Sequence, residues 1–193
     1  MERRARVVLL PDPETGPVTP EGPVRSSQEA EVELPAAVYR DLWKAENLER
    51  LARAYWAYLP QVSLGLIRVV YEPDARTVVL ASRRLPMLRF HRPEYETAAN
   101  RGQVTWRIDR GLLVAPAWHG QGMLQIVVES AEPDPVGETA HLTVRTEVSN
   151  FYPFVRGSGR FARLGVHLYN ATQMRIHVWV TRGFLRSLAR LDL

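Results

Sequence analysis

Apolar and polar residues alternate along much of the chain with the two-residue period of half-buried β-strands. Val104, Trp106 and Ile108 alternate with polar neighbours, and residues 139–150 follow the same pattern. This period is typical of an antiparallel sheet with one buried face and one wet face. The predicted strands are Glu31 to Leu34, Leu66 to Glu72, Arg76 to Ser82, Met87 to Arg92, Gln103 to Asp109, Leu112 to Ala115, Met123 to Ser130 and Thr139 to Asn150.

Spacings of three and four residues predict two short helices after the first strand. Val38 and Leu42 mark the first helix, and we expect Pro60 to end the second because proline lacks the backbone N–H that a helix needs. The apolar positions of the second helix are Leu48, Leu51, Ala52, Tyr55, Trp56 and Leu59.

A long C-terminal helix is predicted over residues 158–182. Beyond it, Phe184, Leu185 and Leu188 fall on the otherwise polar side of the helix, so we expect a kink or a break at Gly183. The β-branched residues within 176–181 are also compatible with a strand, and this alternative stays open. At 100° per residue, the apolar face carries Phe161, Leu164, Leu168, Thr172, Ile176 and Trp179, and the opposite face carries Arg163, Asn170, His177 and Thr181.

Proline and glycine are concentrated in residues 11–28, which contain few large apolar side chains. From this composition, we expect that the segment cannot form a helix or a central strand. We therefore divide the chain into an N-terminal arm, residues 1–28, and one domain, residues 29–193. The short apolar run from Val7 to Leu10 is interpreted as a candidate edge strand of that domain.

The stretch from Glu31 to Trp43, EVELPAAVYRDLW, followed by Glu46-Asn47-Leu48, resembles the opening of the START and Bet v 1-like (SRPBCC) helix-grip superfamily. Lys44 and Ala45 stand where the superfamily usually has Asp-Pro. The resemblance implies an α+β helix-grip fold: an antiparallel sheet of about six to seven strands wrapped around a long C-terminal helix, with two short helices after the first strand. It also implies an apolar cavity between sheet and helix that holds lipids, polyketides or similar molecules.

Composition and charge limit the functional classes. The chain has no cysteine, which excludes disulfides and thiolate chemistry, and it has no apolar stretch long enough to span a membrane. We expect a cytoplasmic protein. The net charge is +4, but the arginines are scattered and do not interleave with aromatic residues, so the sequence does not favour nucleic acid as a partner.

Candidate ligand-binding residues are those that interrupt or line the predicted buried faces. Arg175 lies within the apolar stripe of the last helix, where a guanidinium needs an anionic or hydrogen-bonding partner. Three interpretations stay open: Arg175 binds a ligand carboxylate, pairs with an internal carboxylate, or extends past the sheet edge into water. Trp106 and Trp179, which we expect to face each other, either line a cavity or fill the core. Leu168 and Thr172 complete the predicted lining on the helix.

Metal and cofactor signals are missing from the sequence. The five histidines are not at metal-ligand spacings, and no nucleotide-binding loop is present, so we expect neither a metal nor a cofactor. The leading hypothesis is non-covalent binding of a hydrophobic or amphipathic small molecule. Two alternatives stay open: a cyclase- or dehydratase-type enzyme that uses the same cavity, and a protein-interaction or homo-oligomerisation module with a filled core.

Overall fold

A computed structural model describes residues 5–11, 23–80, 85–131, 137–151 and 178–190. Its elements in chain order are β1 (Arg6–Leu9), β2 (Val24–Pro35), α1 (Ala36–Leu42), α2 (Ala45–Val62), β3 (Ile67–Tyr71), β4 (Ala75–Leu80), β5 (Pro86–His91), β6 (Glu94–Ala98), β7 (Arg101–Arg110), a 3₁₀ turn (Pro116–Trp118), β8 (Gly122–Glu129), β9 (Thr139–Phe151), α3 (178–187) and a second 3₁₀ turn (Leu188–Arg190).

The strands form one sheet in the order β1-β2-β9-β8-β7-β5-β4-β3, and β6 pairs with β7. Every strand pair in the described part of the chain is antiparallel. The α+β class is therefore confirmed, and the arrangement is consistent with a helix grip. The sheet has nine strands instead of six to seven. Of the predicted long helix, residues 178–182 are helical and residues 158–177 lie outside the described residues.

Two strand predictions were wrong. β6 was missed because all five of its residues are exposed. A strand with no buried face has no alternation of apolar and polar residues from which it could be predicted. Residues 112–115 were predicted as a strand, but they form a turn after Gly111, which has φ +151°. A side chain at Gly111 would collide with the backbone of Met87 and Leu88, so the chain turns there instead of extending the sheet.

The N-terminal region contributes more to the sheet than its composition indicates. The predicted edge strand is confirmed as β1, which pairs with β2. β2 begins at Val24 and pairs with β9 along its length, so the interpretation of residues 11–28 as unable to form a central strand is wrong for 24–28. The predicted boundary after residue 28 falls inside β2, and the division into arm and domain stays a prediction.

Both predicted helices after the first strand are present, but the second is long. α2 has 18 residues and continues through Pro60 to Val62. Its predicted buried positions are confirmed, because all six of them between Leu48 and Leu59 are buried. The prediction that Pro60 ends the helix is therefore wrong by two residues.

An aromatic cluster joins α2 to one face of the sheet, which we call the inner face. Trp106 of β7 packs edge-to-face against Trp56 at 5.2 Å between ring centroids and stacks on Tyr55 at 6.3 Å. Phe90 of β5 meets Trp56 at 5.0 Å, and Phe184 of α3 meets Tyr55 at 5.1 Å. The cluster therefore connects α2, α3 and two strands in one core.

The predicted break at Gly183 was wrong, because α3 is helical without interruption from 178 to 187. Gly183 serves close packing instead: a side chain there would overlap the hydroxyl and ring of Tyr58 in α2. The strand alternative is also excluded for residues 178–181. Glycine at this position is explained by the approach of two helices, and not by a change of direction.

The predicted buried face of the last helix is also wrong where it can be checked. Trp179 is 59% exposed, whereas Thr181, assigned to the polar face, is fully buried. The apolar side that packs on the core carries Val180, Phe184, Leu185 and Leu188. The sheet and α2 select this side, and a periodicity derived mainly from residues 161–176 did not locate it.

We predict that Gly183→Ala lowers the free energy of unfolding by about 1–3 kcal/mol, because the added methyl group overpacks the contact with Tyr58. Urea denaturation measures the change. In a Tyr58→Ala background the same substitution should be neutral or stabilising, since alanine is the better helix former by about 1 kcal/mol. An equal loss in both backgrounds would show that the contact with Tyr58 is not the reason for the glycine.

Tyr55 supplies a pH-dependent prediction. Burial raises the pKa of its hydroxyl above the usual value of about 10. The unfolded chain therefore ionises Tyr55 at a lower pH than the folded chain does, and stability present below about pH 10 is lost as the pH rises further. We expect the free energy of unfolding of the wild type to fall more steeply above pH 10 than that of Tyr55→Phe; parallel curves would contradict this assignment.

Candidate functional site

A small pocket lies on the inner face where the sheet meets α1, α2 and the last 3₁₀ turn. The helices and the turn contribute Leu42, Asn47, Leu48, Leu51 and Leu188. The strands contribute Val32, Leu34, Val128, Leu142 and Val144. The lining is thus apolar except for Asn47, as in sites that bind apolar groups.

The strand sequences explain why these side chains converge. Leu142 and Val144 alternate with outward-facing residues in β9, and Val32 and Leu34 lie opposite Leu142 and Ala140 in β2. Leu48 approaches the sheet closely because its neighbour in β7 is Gly102, where a Cβ would lie 2.7 Å from a methyl group of Leu48. Because Gly102 has no side chain, the start of α2 packs closely against the sheet at the edge of the pocket.

The pocket volume is about 30 Å³. That is space for about two water molecules, and about a tenth of the smallest usual ligand pocket, about 300 Å³. The described residues thus enclose room for a small apolar group, and a larger ligand requires displacement of lining side chains.

Buried polar residues adjoin the pocket along β2 and β9. Thr146 follows Val144 on the same face of β9 and is fully buried, and its Cα partner in β2 is Gln28, also buried. Arg182 of α3 donates from Nε to Oε1 of Gln28 at 3.1 Å. Thr181, the residue before Arg182 in α3, is also fully buried. We call Gln28, Thr146 and Thr181 the polar band.

Two hydroxyls of the polar band have no hydrogen-bond partner in the described part of the chain: Oγ1 of Thr146 and Oγ1 of Thr181, both buried. A buried hydroxyl without a partner costs free energy, and such groups call for a specific explanation, for example a bound molecule. The sequence analysis did not identify Thr146. It has the same alternation as Ala140, Leu142 and Val144, so its position in the sequence already indicated a polar residue on the buried face of the strand.

Trp106 is 1% exposed and belongs to the aromatic cluster, outside the residues that line the pocket. Its indole N–H donates to no group in the described part of the chain. The structure thus places Trp106 in the filled half of the inner face, next to Trp56 and Tyr55. Its role in ligand binding stays a prediction.

Of the other predicted site residues the structure describes Trp179, and it is not brought together with Trp106. Trp179 is exposed on the side of α3 away from the core, so it does not face Trp106 as predicted. Leu168, Thr172 and Arg175 lie outside the described residues, and their roles stay predictions.

Charged side chains gather on the opposite, outer face of the sheet. Arg89 of β5 donates to Asp109 at 2.8 Å and to Glu72 at 3.3 Å, and these hydrogen bonds raise the pKa of its guanidinium. Its neighbour Phe90 points to the inner face, so Arg89 and His91 point away from the pocket. The charged groups of Arg89, Asp109 and Glu72 pair with each other on the outer face, so they contribute no acid or base to the pocket.

Neither a metal site nor a membrane-spanning helix occurs in the parts of the chain that the structure describes. No three residues among the described His, Asp and Glu side chains are grouped as metal ligands would be. None of the described helices has the length and apolar character needed to cross a bilayer.

Comparisons with known proteins give a distant likeness. No family model and no curated protein matches the chain. Similar solved structures are those of norcoclaurine synthase from Thalictrum flavum, a Bet v 1-like protein. The truncated form has a TM-score of 0.37 at 12% identity and covers 89% of this chain and 97% of its own.

The complex of norcoclaurine synthase with dopamine and hydroxybenzaldehyde gives the same TM-score and identity, with 95% of this chain and 97% of that chain covered. A third structure gives a TM-score of 0.36 at 12% identity, with 95% of each chain covered. At these values the likeness carries no argument about what this chain binds or catalyses. The case for function rests on the geometry of the pocket and the polar band.

Proposed function

We propose that the protein binds a hydrophobic or amphipathic small molecule, lipid- or polyketide-like, without covalent chemistry. The observation that supports this proposal is an apolar pocket beside buried hydroxyls that lack partners in the described part of the chain. Apolar groups gain free energy when they leave water for such a pocket, by about 0.8 kcal/mol for each CH₂ group.

The polar band gives the bound molecule an orientation. Thr146 lies two residues from Val144, or about 7 Å along the strand, which is within the length of a small amphipathic molecule. In this proposal an apolar end occupies the pocket while an oxygen of the ligand bonds to the hydroxyls of Thr146 and Thr181. A few polar groups beside an apolar lining is the usual composition of a small-molecule site.

Ligand entry requires movement of side chains, because the pocket volume is about 30 Å³. Leu48 and Leu188 carry flexible side chains and come from the helical side of the pocket, whereas the sheet side is held by strand pairing. We propose that these leucines move apart to admit the ligand.

Binding fits the pocket better than catalysis. A cyclase or dehydratase requires an acid or a base that points at the substrate, and none of the described lining residues has such a side chain. The interaction module with a filled core is supported by the aromatic cluster, which occupies the other half of the inner face. The two proposals differ in whether the remaining pocket takes up a ligand.

Arg175 remains our proposed anchor for a ligand carboxylate, with Leu168, Thr172, Trp106 and Trp179 as further candidate contacts. The predicted apolar stripe that carries Arg175 and Trp179 is wrong at Trp179, which is exposed. A neutral ligand therefore tests the described pocket independently of Arg175.

The pocket is tested by filling it. Val128→Leu adds one methylene group to the lining, and we expect octanol to bind at least about fivefold more weakly while stability holds or rises. Displacement of a fluorescent naphthalene sulfonate measures binding, and urea denaturation measures stability. Val104→Leu is the matched control, since Val104 is buried on the same face but does not line the pocket. If native mass spectrometry and displacement detect no uptake by the wild type, the filled-core alternative replaces this proposal.

The polar band is tested by removing one hydroxyl. Thr146→Val keeps the shape of the side chain, and we expect octanol to bind about threefold to tenfold more weakly, as for one lost hydrogen bond. Octane binding should be unchanged, and stability should hold or rise because the hydroxyl has no partner in the described chain. Thr143→Val, on the outer face of the same strand, is the control. Equal losses for octanol and octane would remove Thr146 as the polar contact.

A further inference from the structure

Five exposed leucines lie at one end of the sheet, at the ends of its strands or in the connections beside them. Leu64 is 94% exposed, and the others expose between 39% and 60% of their surface. Large apolar side chains exposed together at one place mark a surface that contacts an apolar partner. The five residues, which we call the leucine rim, are Leu64, Leu66, Leu80, Leu85 and Leu112.

Backbone pairing shows that these leucines are neighbours. Leu66 precedes Ile67, whose Cα partner in β4 is Leu80. The N–H of Leu80 donates to the carbonyl of Leu85 at 3.3 Å. The N–H of Leu112 donates to the carbonyl of Pro86, the residue that follows Leu85, at 3.0 Å. Three separate loops therefore present leucines at the same end of the sheet.

The loop that carries Leu64 is held in place. Leu64 and Gly65 have φ +52° and φ +80°, and the N–H of Gly65 donates to the carbonyl of Pro60 at 2.8 Å. The hydroxyl of Ser63 accepts a hydrogen bond from the N–H of Ile67 at 2.9 Å. A leucine with a left-handed backbone conformation is uncommon and costs conformational energy. Here that conformation leaves the apolar side chain of Leu64 exposed to water. A partner outside the chain that contacts this side chain would account for the cost.

The net charge near the leucine rim is positive. Arg68 follows the rim in β3 and is exposed, and Arg110 at the end of β7 is an exposed cation whose Nε also lies 3.7 Å from a carboxylate oxygen of Asp109. The described residues 61–68, 79–80, 85–88 and 110–113 contain no acidic residue. Apolar side chains together with arginines are complementary to a partner that has an apolar interior and a negatively charged surface.

We propose that the leucine rim docks on an anionic lipid bilayer. The leucines enter the boundary between headgroups and acyl chains, as apolar side chains of interfacial proteins do. Arg68 and Arg110 lie against the lipid phosphates, where each cation near an anionic surface adds to the attraction.

A second copy of the chain fits the rim less well. In a two-fold symmetric contact the same patch lies on both copies, so the net positive charge of the rim on one copy would meet the same net charge on the other. The repulsion between like charges would oppose that contact. An anionic bilayer removes this conflict and also takes up the protruding Leu64.

The docking proposal goes beyond the proposed function and is independent of it. The pocket lies at the start of α2, near Asn47 and Leu48, and the leucine rim follows the end of α2. Eighteen helical residues span about 27 Å, so a change in the rim leaves the pocket intact.

The test is sedimentation of the protein with vesicles of phosphatidylcholine and phosphatidylserine, compared with vesicles of phosphatidylcholine alone. We expect the wild type to bind the anionic vesicles and to bind them more weakly at high salt. The double variant Leu64→Ser, Leu66→Ser should bind at least about tenfold more weakly, since two leucines no longer transfer from water. Val8→Ser is the matched control: Val8 is exposed on β1, at the opposite edge of the sheet, and its loss should leave vesicle binding unchanged.

Arg68→Gln with Arg110→Gln should remove the preference for anionic vesicles while leaving the thermal unfolding transition unchanged. The proposal is overturned if the wild type does not sediment with anionic vesicles, or if Val8→Ser weakens binding as much as the leucine variant. It is also overturned if sedimentation equilibrium shows a dimer that the leucine variant abolishes while vesicle binding is unaltered; the rim would then be a contact between copies. Octanol binding measured on the same variants keeps this result separate from the fate of the pocket.

Discussion

The packing of α2 across the inner face of the sheet is the constraint on which the rest of this structure depends. An antiparallel sheet with an apolar face is stable only when that face is covered. α2 covers it with Tyr55 and Trp56, which meet Trp106 and Phe90 of the sheet and Phe184 of α3. The position of α3 then follows from α2, because Gly183 lets Tyr58 approach closely.

The same packing decides where a ligand has room. Large aromatic rings fill the inner face at β7 and β5, so the space that remains lies at β2, β9 and β8, where the side chains are valine and leucine. The start of α2 closes this space through Leu48, which fits over Gly102. Gly102 of β7 thus lets Leu48 come close to the sheet and border a pocket whose strand residues come mainly from β2 and β9.

The two proposed binding sites lie at opposite ends of α2. Its first turns border an apolar pocket and a polar band with unpartnered hydroxyls in the described chain, and its last turn leads into the leucine rim. A protein that takes up a poorly soluble molecule gains from contact with a bilayer, since the molecule is concentrated there. The two proposals nevertheless rest on different residues and are tested separately.

The sequence by itself determined the elements whose burial follows a local period. Alternation in residues 139–150 and three- and four-residue spacing from Leu48 to Leu59 located β9 and the buried side of α2 correctly. These signals are local because each side chain's direction follows from its neighbours along one strand or helix. Tertiary structure decided what local periods do not encode. The exposed β6 exists because β7 offers an edge for pairing, and α3 turns Thr181 inward because α2 and the sheet bury that side. The pocket is decided in the same way, since Leu48, Val128 and Leu142 meet only when strands and helices distant in sequence pack together.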